Sequence, residues 1–187
     1  MDVAAQLELL LTPEVRERIG LFQTGRLPTA QIPFSEEIRA ICRGNLCRGY
    51  GATWACPPAV GSMSSCRAEC LRFAEMLVFS ACTPIEDSFD LEGMHDAMRA
   101  FKTVCDRLAD AVRGLLPGFL LLSNEGCGRC AVCTYPDAPC RFPDRLYPAI
   151  EGYGIDVGAL AARAGVRYNN GPCTVTFLGG LLFGDIQ

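Results

Sequence analysis

The chain has 187 residues, half of them hydrophobic, a net charge of −4 and a pI of about 5.1. That length and apolar content exclude intrinsic disorder and suffice for one buried core. Scattered Lys and Arg on an acidic chain make nucleic acid and anionic membrane poor partners.

From residue 1 to residue 40 the sequence predicts an N-terminal helical extension: an amphipathic helix broken at Pro13, then short helices joined by the proline-rich GRLPTAQIPFSEE. Residues 41–187 are expected to form a cysteine-rich α/β domain. It opens with CRGNLCRGYGATWACPP, Cys42 to Pro58, whose glycines and prolines show no periodicity and predict a loop. Ser64 is the expected N-cap of a helix through SCRAECLRFAEM that passes into an apolar strand, MLVFSAC. Between Gly93 and Leu116, apolar residues at helical spacing (Met94, Ala97, Met98, Phe101, Val104, Leu108, Val112 and Leu115) predict a long helix. Gly118 to Leu122 reads as a second buried strand. A second loop follows, EGCGRCAVCTYPDAPCRFP, from Glu125 to Pro143. RLYPAIEGYGI predicts a short helix ending near Gly152, and Asp156 caps another that stops at Gly165. The tail CTVTFLGGLLF reads as a third strand with a bulge or bend at its glycine pair. The fold class is therefore α/β, a small single domain with a short sheet, flanking helices and two cysteine-rich metal-binding loops at one end.

Twelve cysteines stand against a single histidine, His95. Multi-histidine sites for zinc, copper or non-haem iron are excluded by that count, so any metal here is held by sulfur. No apolar run reaches the ~18 residues of a membrane helix. The N-terminus lacks a basic region and a small-residue cleavage site, so a cytoplasmic location is expected. Stable disulfides are rare there, and dense cysteines mean metal ligation or redox chemistry.

The second loop carries C-x2-C-x2-C-x6-C-R-x-P on Cys127, Cys130, Cys133 and Cys140. Three cysteines at successive x2 spacings wrap a tight loop around an object larger than one ion, as in ferredoxin-type 4Fe–4S loops, whose remote fourth cysteine precedes proline. The x6 gap departs from that spacing, and zinc is the alternative metal. The first loop carries C-x4-C-x8-C-P-P on Cys42, Cys47 and Cys56. Its fourth ligand is expected at Cys66, in the first turn of the helix, where the dipole favours a thiolate. Cys70 is the second candidate, an open iron a third possibility, and an exchange of Cys56 and Cys140 between loops a fourth. Cys82, Cys105 and Cys173 read as small buried hydrophobes. His95 reads as a surface or capping residue, and Tyr50 and Trp54 as shields against water. GxGxxG, a Walker loop, HExxH and the C-x3-C-x2-C run of radical enzymes are all missing.

On these residues the sequence resembles the DUF2284 family of predicted metal-binding proteins. The resemblance rests on Cys42 or Cys47, Tyr50, Gly51, Trp54, Cys56, Pro57 and Pro58, and on Gly126, Cys127, Cys130, Cys133, Cys140, Arg141 and Pro143 followed by RLYPAIEGYGIDV. It runs from about residue 40 to about residue 185 and leaves out Cys66 and Cys70. It implies a cysteine-ligated centre, iron–sulfur in kind, in an organism with anaerobic metabolism. Three functions follow as expectations. One is an electron-transfer or redox accessory protein with one or two 4Fe–4S clusters and a redox partner protein. Another is an enzyme that binds substrate at an open cluster iron. The last is a zinc-stabilised binding module.

Overall fold

Two ten-residue strands with side chains pointing alternately to opposite faces organise the molecule. The computed structural model describes residues 3–184. In chain order the elements are α1 (Val3–Leu10), α2 (Pro13–Ile19), β1 (Gln23–Pro28), α3 (Glu36–Arg43), α4 (Met63–Cys70), β2 (Glu75–Pro84), α5 (Leu91–Val112), β3 (Leu120–Ser123), α6 (Val157–Arg163) and β4 (Thr174–Phe183). The strands form one antiparallel sheet in the order β1-β2-β4-β3.

Leu77, Phe79, Phe177, Leu181 and Leu121 face one core, which α1, α2 and α5 complete. Met76, Val78, Leu178, Leu182 and Leu122 face the other, which α4 and α6 complete. With both faces covered, β2 and β4 read as continuous apolar runs without the polar alternation of a half-solvated antiparallel sheet. A slip of one residue would exchange the two faces, so burial on each side fixes the register.

Gly179 and Gly180 form no bulge, contrary to the sequence expectation. They sit in unbroken register opposite Phe79 and Val78. The space their missing side chains leave is filled by neighbours: a Cβ on Gly179 would lie 2.1 Å from Phe79 Cζ, and one on Gly180 1.8 Å from Met76 Cε. Phe79 can then reach Phe101 of α5 at a ring-centroid distance of 5.9 Å.

Within the first forty residues the helical expectation fails at Gln23–Pro28, which pairs with β2 from Gln23–Ser80 to Pro28–Glu75. This edge strand has one buried side chain, Leu27, so it carries no alternating pattern to read. Pro28, which has no N–H to donate, stands at its end. Helix α4 is capped by Ser62, whose Oγ accepts from Ser65 N at 3.1 Å, and not by Ser64. The helix expected over RLYPAIEGYGI is two single 3-10 turns, Pro143–Arg145 and Glu151–Tyr153, on either side of an extended stretch that pairs with Ser123. Asp156 does cap α6, its Oδ1 accepting from Ala159 N at 2.9 Å.

Because Phe79 occupies the place of a side chain at position 179, Gly179→Ala should lower unfolding free energy by about 1–3 kcal/mol. Gly114→Ala, where an added Cβ meets nothing within 4 Å, should stay within about 0.5 kcal/mol of wild type. Urea unfolding of the two variants checks the contrast; equal stabilities would contradict the close approach.

Candidate metal centres

Both cysteine runs are tied to the end of β3. Ser123 N donates to Pro148 O (3.0 Å), Ile150 N to Ser123 O (3.2 Å), and Ala149 N to Ala55 O (2.8 Å). Asn124 prolongs the ladder, its N donating to Leu178 O (2.8 Å) while its Oδ1 accepts from Leu178 N (3.0 Å). From α5, the buried Lys102 donates to Ser123 Oγ (2.8 Å) and Asn124 O (2.9 Å). The first run, through Ala55, the second run, which leaves at Asn124, and the turn at Glu151 therefore share one anchor.

Cys42, Cys47 and Cys56 line a cavity of about 220 Å³ together with Tyr50, Glu125 and Glu151. Cys42 belongs to the last turn of α3, and Cys47 and Cys56 to the loop after it. That loop coils tightly through left-handed backbone at Asn45, Arg48 and Gly51. It is held by Tyr50 N donating to Asn45 Oδ1 (2.9 Å) and Gly51 N to Pro57 O (2.8 Å). The chain passes between two sulfurs at Gly49, where a Cβ would lie 3.1 Å from Cys56 Sγ and 3.5 Å from Cys47 Sγ. Burial pushes the Cys42 and Cys56 thiols above their usual pKa, and the neighbouring thiols and Glu151 add to the shift. Burial likewise pushes the Glu151 carboxyl up to about 7. Its Oε2 is buried with no hydrogen-bond partner.

Cys127, Cys130, Cys133 and Cys140 line a second cavity, of about 330 Å³, beside Trp54 and Phe142. Within this loop Thr134 Oγ1 donates to Pro139 O (2.9 Å), Arg141 Nη1 to Val132 O (2.9 Å), and Phe142 N to Cys140 Sγ (3.4 Å). Gly128 is left-handed, and a Cβ there would strike Met98 Cε at 2.8 Å. Arg129 docks the loop on α5 with a two-pronged contact to Asp106 (2.7 and 3.0 Å), while its Nε donates to Arg145 O (2.7 Å). Tyr147 OH donates to the same Asp106 carboxylate at 2.8 Å.

The two cavities are neighbours: Gly126 lines the first and Cys127 the second, and consecutive Cα atoms are about 3.8 Å apart. A water occupies roughly 30 Å³ in the liquid, so each cavity has room for a group of several atoms. A single zinc ion would draw its sulfurs in to about 2.3 Å. Among the described residues no three His, Cys, Asp or Glu form a group that could hold a metal ion. Cysteines line each cavity, and so sulfur-rich a lining fits a soft metal centre.

Cys66 and Cys70 line neither of these cavities. Both are packed in the second core, with Cys66 Sγ donating to Val60 O at 3.3 Å. The helix terminus was expected to favour a thiolate at Cys66. Burial outweighs it and raises the Cys66 pKa, and raises that of Cys70 to about 12. Cys56 and Cys140 face the cavities of their own runs, without exchange between loops. Cys105 is fully buried, Cys82 half-buried, and Cys173 exposed at a left-handed φ of 54° just before β4, so the buried-hydrophobe reading fails for Cys173. His95 is exposed on α5. Tyr50 covers the first cavity, whereas Trp54 covers the second, its Nε1 donating to Ala138 O (3.1 Å) and its ring set edge-on to Tyr135 at 4.9 Å. The sequence reading missed Glu151 and the Arg129–Asp106 pair; the one local signal was a lone acid in the apolar stretch PAIEGYGI.

Asp106→Ala should lower stability by about 2 kcal/mol, since it strands a charge-assisted fork, and should speed amide hydrogen exchange across residues 127–142. Asp96→Ala, which removes an exposed ion pair to Arg99, should change neither. Unchanged exchange in the Asp106 variant would show that the fork does not hold the loop.

Residues 25–183 match the family described as predicted metal-binding protein, DUF2284. No curated protein and no solved structure matches the chain. The family match starts inside β1, well before residue 40, and β1 is an integral strand of the sheet. Since it runs from there to the end of β4 and takes in both cysteine runs, the chain belongs to the DUF2284 family of predicted metal-binding proteins.

Proposed function

We propose that the chain is an iron–sulfur protein with up to two 4Fe–4S clusters, one to each cavity, that serves as an electron-transfer or redox accessory protein. The observation that carries this reading is that all four cysteines of the C-x2-C-x2-C-x6-C run line one cavity of about 330 Å³. Cys127, Cys130, Cys133 and Cys140 hold the second site, and Cys42, Cys47 and Cys56 supply three ligands to the first. A bound cluster supplies one-electron chemistry whose potential depends on hydrogen bonds and exposure to solvent. Trp54 and Phe142 limit water at the second cavity, and Lys102 and Arg129 place positive charge beside Cys127.

The adjacency of the cavities supports passage of electrons between sites, and the acidic chain suits a redox partner protein in the cytoplasm of an anaerobic cell. A second reading, an enzyme with an accessible iron in the first cavity, is favoured by one observation: Cys66, the thiol expected to close that site, is buried elsewhere.

Protein purified without oxygen should be brown and contain about four iron and four sulfide for each cluster held. Cys130→Ala should lose one cluster's iron, and Cys173→Ala should lose none. Stoichiometric zinc without sulfide, in protein never exposed to oxygen, would replace this reading with a zinc-stabilised binding module.

A further inference from the structure

Three cysteines, Cys42, Cys47 and Cys56, and Glu151 line the first cavity, and Glu151 Oε2 is buried with no hydrogen-bond partner. Cys42 Sγ lies 3.6 Å from the backbone carbonyl of Glu151, so the two residues are neighbours across the cavity wall. The Glu151 backbone is fixed from behind. Its residue opens a 3-10 turn whose Tyr153 N donates to Ala149 O (3.1 Å) and Ile150 O (3.0 Å), while Ala149 is itself bound to Ala55, next to Cys56. Gly152 O accepts from the buried Arg39 guanidinium. A carboxyl group on so firmly held a backbone, with Oε2 buried and unpaired, bears a desolvation penalty that a bound cation removes. Cys66 cannot take that place without leaving the core, where its sulfur already donates to Val60 O.

We infer that Glu151, and not Cys66, is the fourth ligand of the first site, which then consists of three thiolates and a carboxylate. This assignment rests on the iron–sulfur reading above. Its consequence is asymmetry. Carboxylate oxygen is a hard donor, and soft iron–sulfur centres prefer thiolate, so the position facing Glu151 is the weakest and the one that exchanges. The ligand class admitted there is a small anionic or neutral molecule with an oxygen or sulfur donor, displacing the carboxylate without any change in protein fold. The second site, with four thiolates, has no such position. One site would then be built for ligand exchange and its neighbour for electron supply.

The test compares wild type with Glu151→Ala, Glu151→Cys and Cys66→Ala, each reconstituted anaerobically with iron and sulfide. Each is then treated with ferricyanide, which takes one electron as one ferrous ion leaves and a three-iron species remains. That species is read by electron paramagnetic resonance. Loss of the weakest iron should be fastest in Glu151→Ala, intermediate in wild type and slowest in Glu151→Cys, where a thiolate replaces the carboxylate. Cys66→Ala should match wild type. The second cluster serves as an internal control for folding, since its iron should persist in every variant. If Glu151→Ala fails to fold, the order of Glu151→Cys against wild type decides. The assignment is overturned if both Glu151 variants behave as wild type, or if Cys66→Ala alone yields the three-iron signal. If wild type itself takes up no iron, the iron–sulfur reading falls and this assignment with it, a result distinct from loading without dependence on Glu151.

Discussion

Ser123 is the residue through which the sheet holds both cysteine runs. Its N–H and C=O reach Pro148 and Ile150, Ala149 between them reaches Ala55, and Asn124 passes the ladder on to Leu178 in β4. Each of these bonds is modest, about 1 kcal/mol net. Together they close a path from the most deeply buried strand pair to loops that have almost no regular structure. The loops cannot position sulfur by themselves: they contain tight left-handed turns and exposed tips, and Leu46 and Val132 point into solvent at 90% and 76% exposure. What they contribute is a set of thiols at the rim of a rigid sheet.

Lys102 gives that junction its electrostatic character. It is 5% exposed, and burial pushes its pKa below the ordinary lysine value. It is retained because Ser123 Oγ and Asn124 O accept its hydrogen bonds, as a buried cation requires. It stands between the two sites, with Cys127 and Glu151 both near enough to stabilise its charge. Cys127 of the second cavity and Glu151 of the first therefore share one buried positive charge. On the outer flank Arg129 does the same for Cys127 alone, while its fork to Asp106 keeps the second loop on α5.

Spacing made the cysteine runs legible in the sequence, because residues so close along the chain stay close in the fold. Cys127, Cys130 and Cys133, at x2 spacing, line one cavity. The long helix, the apolar strands and the Asp156 cap were legible in the same way, through periodicity and capping chemistry. The strand β1 was not, since an edge strand with one buried residue leaves no pattern. The burial of Cys66 was not legible, because a helix-terminal position says nothing about which side of the helix is buried, and burial governs its thiol. Arg129–Asp106 and Glu151 were invisible for a third reason. The first depends on a contact 23 residues apart, and the second on a cavity lining that no local pattern announces. The glycine pair of β4 shows the same limit: the sequence marks a missing side chain, and only packing tells that Phe79 and Met76 fill the space.

What occupies the two cavities decides between an iron–sulfur protein and a zinc-stabilised module. Anomalous diffraction at the iron absorption edge, from crystals grown and frozen without oxygen, addresses that directly. The prediction is a compact iron peak ringed by Cys127, Cys130, Cys133 and Cys140, and a second beside Cys42, Cys47 and Cys56 with a Glu151 oxygen at bonding distance. Anomalous signal at the zinc edge alone, or iron in neither cavity, would contradict it.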